Sequence, residues 1–148
     1  MPERAGRPFA LALCNEVVRE LGFGEQCDLA ARLGYDAVEV APFTLTDDPR
    51  RVTSAQLAAW RKRAEEAGVR VSSLHWLLMA PPGLSITSPD PRVREATLEV
   101  IAALVDMCAA LGGGVLGVRG VALRGGGSGL GAGGGWLGPG RGLGARGG

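Results

Sequence analysis

Residues 25–33 have helix-forming composition, run into Gly34, and are followed by the β-branched run 37–41. The phrase returns where a second helical segment meets Gly68 and residues 69–76 follow, and again where a third meets residues 112–114 and 115–118 follow. Glycine reaches positive φ at little cost, so a helix that stops on it can turn at once into a strand. A chain that repeats this phrase is building βα units. With strands starting near residues 10, 37, 71 and 115, the reading is β-α-β-α-β-α-β with right-handed crossovers and parallel strands. Two architectures begin this way. A doubly wound sheet is complete at four or five strands, whereas a (β/α)₈ barrel of about 250 residues would be about half present.

The individual elements follow from local chemistry. Residues 9–14, Phe-Ala-Leu-Ala-Leu-Cys, form a short apolar run that suits a first strand buried on both faces. In the first helix Cys27, Ala30, Ala31 and Leu33 lie broadly on one side. Strand 2 carries Glu39 and is stopped by Pro42, which has no N–H for a central ladder. Thr53 or Ser54 is a fitting cap for a second helix whose Leu57, Trp60, Ala64 and Ala67 recur at helical spacing. Asp90 and Pro91 suit the N-cap and first position of a third helix running to about Leu111. Its core stripe is read as Leu98, Ile101, Val105 and Cys108, widened by Leu104 and Leu111.

Composition divides the chain into two materials. Of 25 glycines, 19 lie after residue 111; residues 1–111 carry 12 basic and 15 acidic side chains, while 112–148 carry four arginines and no acid. The reading is a structured part, 8–118, and a low-complexity Gly/Arg-rich tail, 119–148, expected to be disordered because glycine loses the most backbone entropy on ordering. Four arginines with one interleaved tryptophan, Trp136, predict feeble nucleic-acid contact, and the acidic body is unlike a DNA-handling surface. The three cysteines, at wide spacing and odd in number, read as buried free thiols rather than a disulfide or zinc framework. The N-terminal apolar run is too short for a signal peptide, and no run approaches the length of a membrane span. A cytoplasmic protein is expected.

Chemistry in either α/β architecture gathers at the C-terminal ends of the strands. Asn15 and Glu16 follow strand 1, Glu39 lies in strand 2, and His75 and Trp76 end strand 3. Asn15, Glu39, His75 and Trp76 are the candidate substrate-binding residues. A carboxylate in a parallel sheet is costly unless it faces a polar site, so Glu39 serves either a ligand or a structural partner. His75, the single histidine, reads as a ligand, a substrate hydrogen-bonder or a satisfied core imidazole; Trp76 reads as an apolar wall beside the site or as ordinary packing. No Gly-x-Gly-x-x-Gly follows strand 1 and the tail lacks a phosphate-loop ending, which removes the nucleotide-cofactor readings.

Residues 9–16 followed by Gln26-Cys27-Asp28-Leu29-Ala30-Ala31-Arg32-Leu33-Gly34-Tyr35-Asp36-Ala37-Val38-Glu39-Val40 resemble the opening of the xylose isomerase-like TIM barrel superfamily of sugar phosphate isomerases and epimerases. His75 and the stretch Ile86-Thr87-Ser88-Pro89-Asp90-Pro91-Arg92 are similar to the third-strand histidine and the helix start of these enzymes and of their apurinic-endonuclease relatives. The resemblance implies a partial (β/α)₈ barrel of about three and a half βα units. It also implies a divalent ion (Mn, Mg, Co or Zn), and proton transfer next to a sugar carbonyl. It implies that Glu39 lines the sugar site and that His75 contacts substrate or, in an endonuclease-like member, a metal. The principal metal ligands of the isomerases lie on later strands, and this chain has no acidic residue after Asp106 and no histidine after His75.

The expectation is therefore a sugar phosphate isomerase/epimerase-like chain with an incomplete metal site, no catalytic residue assigned and little activity alone. The alternatives are an apurinic endonuclease-like metal hydrolase and a non-catalytic half-barrel that self-associates through an exposed sheet edge. Where the family-like pattern stops, the glycine-rich sequence reads as a shifted frame. Rereading the coding DNA downstream of codon 113 in the other frames should then uncover the missing barrel units.

Overall fold

The computed structural model describes residues 8–117. The tail read at 119–148 lies outside them. Four strands, β1 (Ala12–Cys14), β2 (Ala37–Val40), β3 (Arg70–His75) and β4 (Val115–Gly117), alternate with three helices, α1 (Phe23–Arg32), α2 (Ser54–Ala67) and α3 (Pro91–Ala110). All strand pairings are parallel, and the order across the sheet is β1-β2-β3-β4. This order decides between the two architectures. Right-handed crossovers that always step the same way keep every helix on one face, as in a barrel; a doubly wound sheet must reverse. The described residues form a partial parallel β/α barrel.

The repeated glycines work as the sequence suggests. Gly34, Gly68 and Gly112 have φ of 84°, 77° and 83°. Each helix end closes with the same pair of bonds, in which the residue after the glycine donates five positions back: Tyr35 to the Ala30 carbonyl (2.9 Å), Val69 to Ala64 (3.1 Å) and Gly113 to Cys108 (2.9 Å). At the first of these turns Asp36 Oδ2 also accepts from the Leu11 amide at 2.9 Å, which fastens the Leu-Gly-Tyr-Asp segment to the start of β1. Thr53 and Gln56 cap α2 reciprocally, and Asp90 accepts from the Arg92 amide at 2.8 Å to cap α3.

Leu13, Val38, Val40, Val71 and Leu74 form the sheet side of the core, against Cys27 and Ala30 of α1, Ala64 of α2, and Val100, Leu104 and Met107 of α3. Two expectations are corrected. The first strand is shorter than residues 9–14 and is not buried on both faces: Phe9 and Leu11, which precede it, are exposed, as is Ala12 within it, because the described helices cover only one face of the sheet. In α3 the buried positions are Thr97, Val100, Leu104, Met107 and Cys108, while Leu98 is 61% exposed and Val105 is also exposed. The stripe is rotated relative to the sequence reading because the apolar arc of α3 is broader than the face it buries. Thr97 tolerates burial because its hydroxyl donates to the Val93 carbonyl (2.6 Å) and accepts from the Ser85 amide (2.9 Å).

Candidate functional site

Side chains alternate across a strand, so the residues between the core positions point to the face that none of the described helices covers. In β2 that residue is Glu39. The register sets Cys14 opposite Glu39 and, after a shift between Val38 and Glu39, sets Glu39 opposite Ser73. The extra residue in β3 is Ser72, and such a bulge re-aims the side chains that follow it. A polar row results. The Cys14 thiol donates to Glu39 Oε2 at 3.0 Å, and the Ser73 hydroxyl donates to Glu39 Oε1 at 3.0 Å.

One step further along β3, His75 Nε2 lies 2.7 Å from Glu16 Oε2, while its Nδ1 lies 3.8 Å from Glu39 Oε2. Nδ1 is buried and has no hydrogen-bond partner among the described residues. Glu16 stands in the short 3₁₀ turn Asn15–Val18 that leaves β1, which folds it back over the strand ends. Burial first, then the hydrogen bond to Glu39 and the charges of Glu39 and Glu16, push the Cys14 thiol up to about 12, so at neutral pH it is a hydrogen-bond donor. Among the described residues no arginine or lysine forms an ion pair with Glu16 or Glu39.

Trp76 follows immediately with φ of 54°, a conformation that costs a bulky residue roughly 1–3 kcal/mol and that accumulates at ligand sites. Asn15 sits behind the mouth rather than in it. Its side chain is fully buried, donating to Gln26 Oε1 (3.1 Å) and Thr44 Oγ1 (2.7 Å) and accepting from the Ala41 amide (2.7 Å). These bonds tie the end of β1 to α1 and to the turn after β2. Of the four sequence candidates, Glu39, His75 and Trp76 thus share the strand ends, with Asn15 beneath them.

Sequence reasoning passed over Cys14, taken as a buried thiol; it is only partly buried, unlike Cys27 and Cys108, and all three are free. Its signal was its position, two residues before Glu16 at the end of β1. Cys14, Glu16 and His75 offer ligand atoms that all lie within 4.8 Å of one another, a cluster able to hold a metal ion.

The sequence profile of the xylose isomerase-like TIM barrel family matches residues 27–135. The chain belongs to this family. Two solved barrels show the same fold. D-psicose 3-epimerase in the presence of D-fructose is 23% identical with a TM-score of 0.56, over 73% of this chain and 36% of that one. A sugar phosphate isomerase/epimerase from Parabacteroides distasonis is 17% identical with a TM-score of 0.52, over 77% and 40%. The chain spans less than half the length of either. A search among curated proteins finds no match. Within the xylose isomerase-like frame, the Cys14–Glu39–Ser73 row lies on the side that faces a barrel's interior, and Glu16 and His75 lie toward its C-terminal mouth. No helix among the described residues is long and apolar enough to cross a membrane.

Proposed function

We propose that this chain supplies the β1–β4 wall of a sugar isomerase or epimerase acting on a small keto sugar or its phosphate. The observation that carries the reading is the convergence of Glu16, Glu39 and His75 at the strand ends on the sheet face that the described helices leave uncovered. Carboxylate oxygens accept from sugar hydroxyls, and the Trp76 ring offers an apolar surface to the C–H side of a pyranose or furanose. Asn15 holds the turns on which these groups stand. Cys14, Glu16 and His75 are the residues that would hold a divalent ion, which when bound would supply polarisation of a carbonyl and acidification of the neighbouring C–H. The similarity to a D-psicose 3-epimerase and to a sugar phosphate isomerase/epimerase supports a sugar substrate over a nucleic acid.

Titrating the full chain with D-fructose and with a ketohexose phosphate, followed by ligand-observed NMR, tests the reading. Replacing Glu39 with Gln removes a charged acceptor and is expected to weaken binding by about tenfold or more, the effect of losing a charge-assisted hydrogen bond of roughly 1.5–3 kcal/mol. Equal affinity of the parent and Glu39→Gln chains would reject it.

A second reading is favoured by the two sheet edges. Among the described residues β1 and β4 each pair on one side only, and exposed apolar groups flank both, Leu11 and Phe9 at one edge and Val115 at the other. Two copies related by a two-fold axis along the strands would place each β4 beside the partner's β1 and complete eight parallel strands. Sedimentation of the full chain should then show twice the mass of one chain, dissociating when Val115 is replaced by Lys. A single-chain mass at every concentration excludes this reading.

A further inference from the structure

We propose that Cys14 Sγ, a carboxylate oxygen of Glu16 and His75 Nε2 form a binding site for one divalent cation of the zinc and cobalt(II) class. The site lies at the ends of β1 and β3. It requires no residue beyond those described and does not rest on the sugar reading.

Two independent features point to it. The first is the gathering of three different donors, thiol, carboxylate and imidazole, within 4.8 Å of one another. Three protein ligands, leaving a fourth position to water or substrate, is the ligand count of a reactive rather than a structural zinc site. The second is the orphaned His75 Nδ1. With the imidazole proton on Nε2, shared with Glu16, the Nδ1 lone pair is buried and faces Glu39 Oε2 at 3.8 Å, two bases opposed with no proton between them. A metal on Nε2 moves the ring proton to Nδ1, where Glu39 becomes its acceptor. That is the carboxylate–histidine–metal relay that orients ligating imidazoles. One substitution of proton for metal therefore satisfies the unpartnered atom.

The donor set also selects the ion. Of the four metals implied by the family resemblance, magnesium and manganese favour all-oxygen sites, whereas a thiolate with an imidazole favours zinc or cobalt. Binding replaces the Cys14 proton, which leaves to solvent, and frees Glu39 from the thiol it accepts from in the metal-free chain.

Cobalt(II) added to the full chain after chelator treatment tests the assignment. One equivalent should produce a thiolate-to-cobalt charge-transfer absorption in the near ultraviolet with intense visible bands of a four-coordinate ion. Cys14→Ser should abolish the ultraviolet band, and His75→Ala should weaken cobalt binding by at least the roughly 10- to 100-fold that loss of an outer partner costs. Cys27→Ser should leave the spectrum unchanged. A measurement needing no variant runs alongside: zinc should slow alkylation of Cys14 several-fold, located by peptide mass, without altering Cys27 or Cys108. Absence of the charge-transfer band, its survival in Cys14→Ser, or an alkylation rate at Cys14 indifferent to zinc overturns the proposal.

Discussion

Replacing Asn15 with leucine is expected to cost about 3–5 kcal/mol of folding stability, a large share of the roughly 5–15 kcal/mol that a domain possesses. The two side chains share a branched shape and heavy-atom count, but leucine is the bulkier, so overpacking adds to a loss that is chiefly polar. The Ala41 amide would lose its acceptor, and Gln26 Oε1 and Thr44 Oγ1 would lose their donor, with Asn15, Gln26 and Ala41 buried and Thr44 partly so. Each buried group left unpaired costs roughly 1–3 kcal/mol, and the three sit in one network whose terms reinforce each other. Urea denaturation of the parent and variant chains reads the difference. A shift below about 1 kcal/mol would mean that the network is dispensable and that Asn15 is free for another partner. The same measurement separates the positioning role from a direct substrate contact, because a contact residue lowers affinity without lowering the denaturation midpoint.

The second large effect lies in α3. Leu104→Ala should destabilise by about 2–5 kcal/mol, the range for deleting a fully buried leucine, because the side chain has no exposed surface and packs where α3 meets the sheet. Leu98→Ala, six residues earlier on the solvent side, should change stability by less than about 0.5 kcal/mol. Comparing the two by thermal or chemical melts locates the packed face of the helix directly. Equal losses at both positions would place Leu98 in the core and contradict the observed rotation.

That rotation shows why one part of the fold is readable from residues and another is not. In α3, Met107, Val100, Leu104, Cys108, Ile101, Val105 and Leu98 form one broad apolar arc, about half the circumference, that alanines extend on both sides, so the 3.6-residue period does not fix which part of it is buried. The sheet selects the part of the arc that contains Thr97, whose spacing from Val100, Leu104 and Cys108 places it inside although its polarity argues against burial. Burial is permitted because the helix carbonyl at Val93 and the loop amide at Ser85 satisfy its hydroxyl.

The site divides along the same line. Glu39 and His75 stand out as polar residues at strand ends, and their positions follow from alternation and from the glycines that start each strand. Their pairing with Cys14 and Glu16 does not, since it depends on the shift at Ser72 and on the turn Asn15–Val18 folding Glu16 back over β1.

Local chemistry was enough to give the parallel βα repeat, its three glycine-closed helix ends, its caps at Thr53 and Asp90, and the family. These features are written in short stretches of backbone preference and hydrogen-bond capping. Strand order, the buried side of α3 and the assembly of Cys14, Glu16, Glu39 and His75 came from tertiary packing. They depend on contacts between residues 25 to 59 positions apart, whose geometry is set when the helices settle on one face of the sheet.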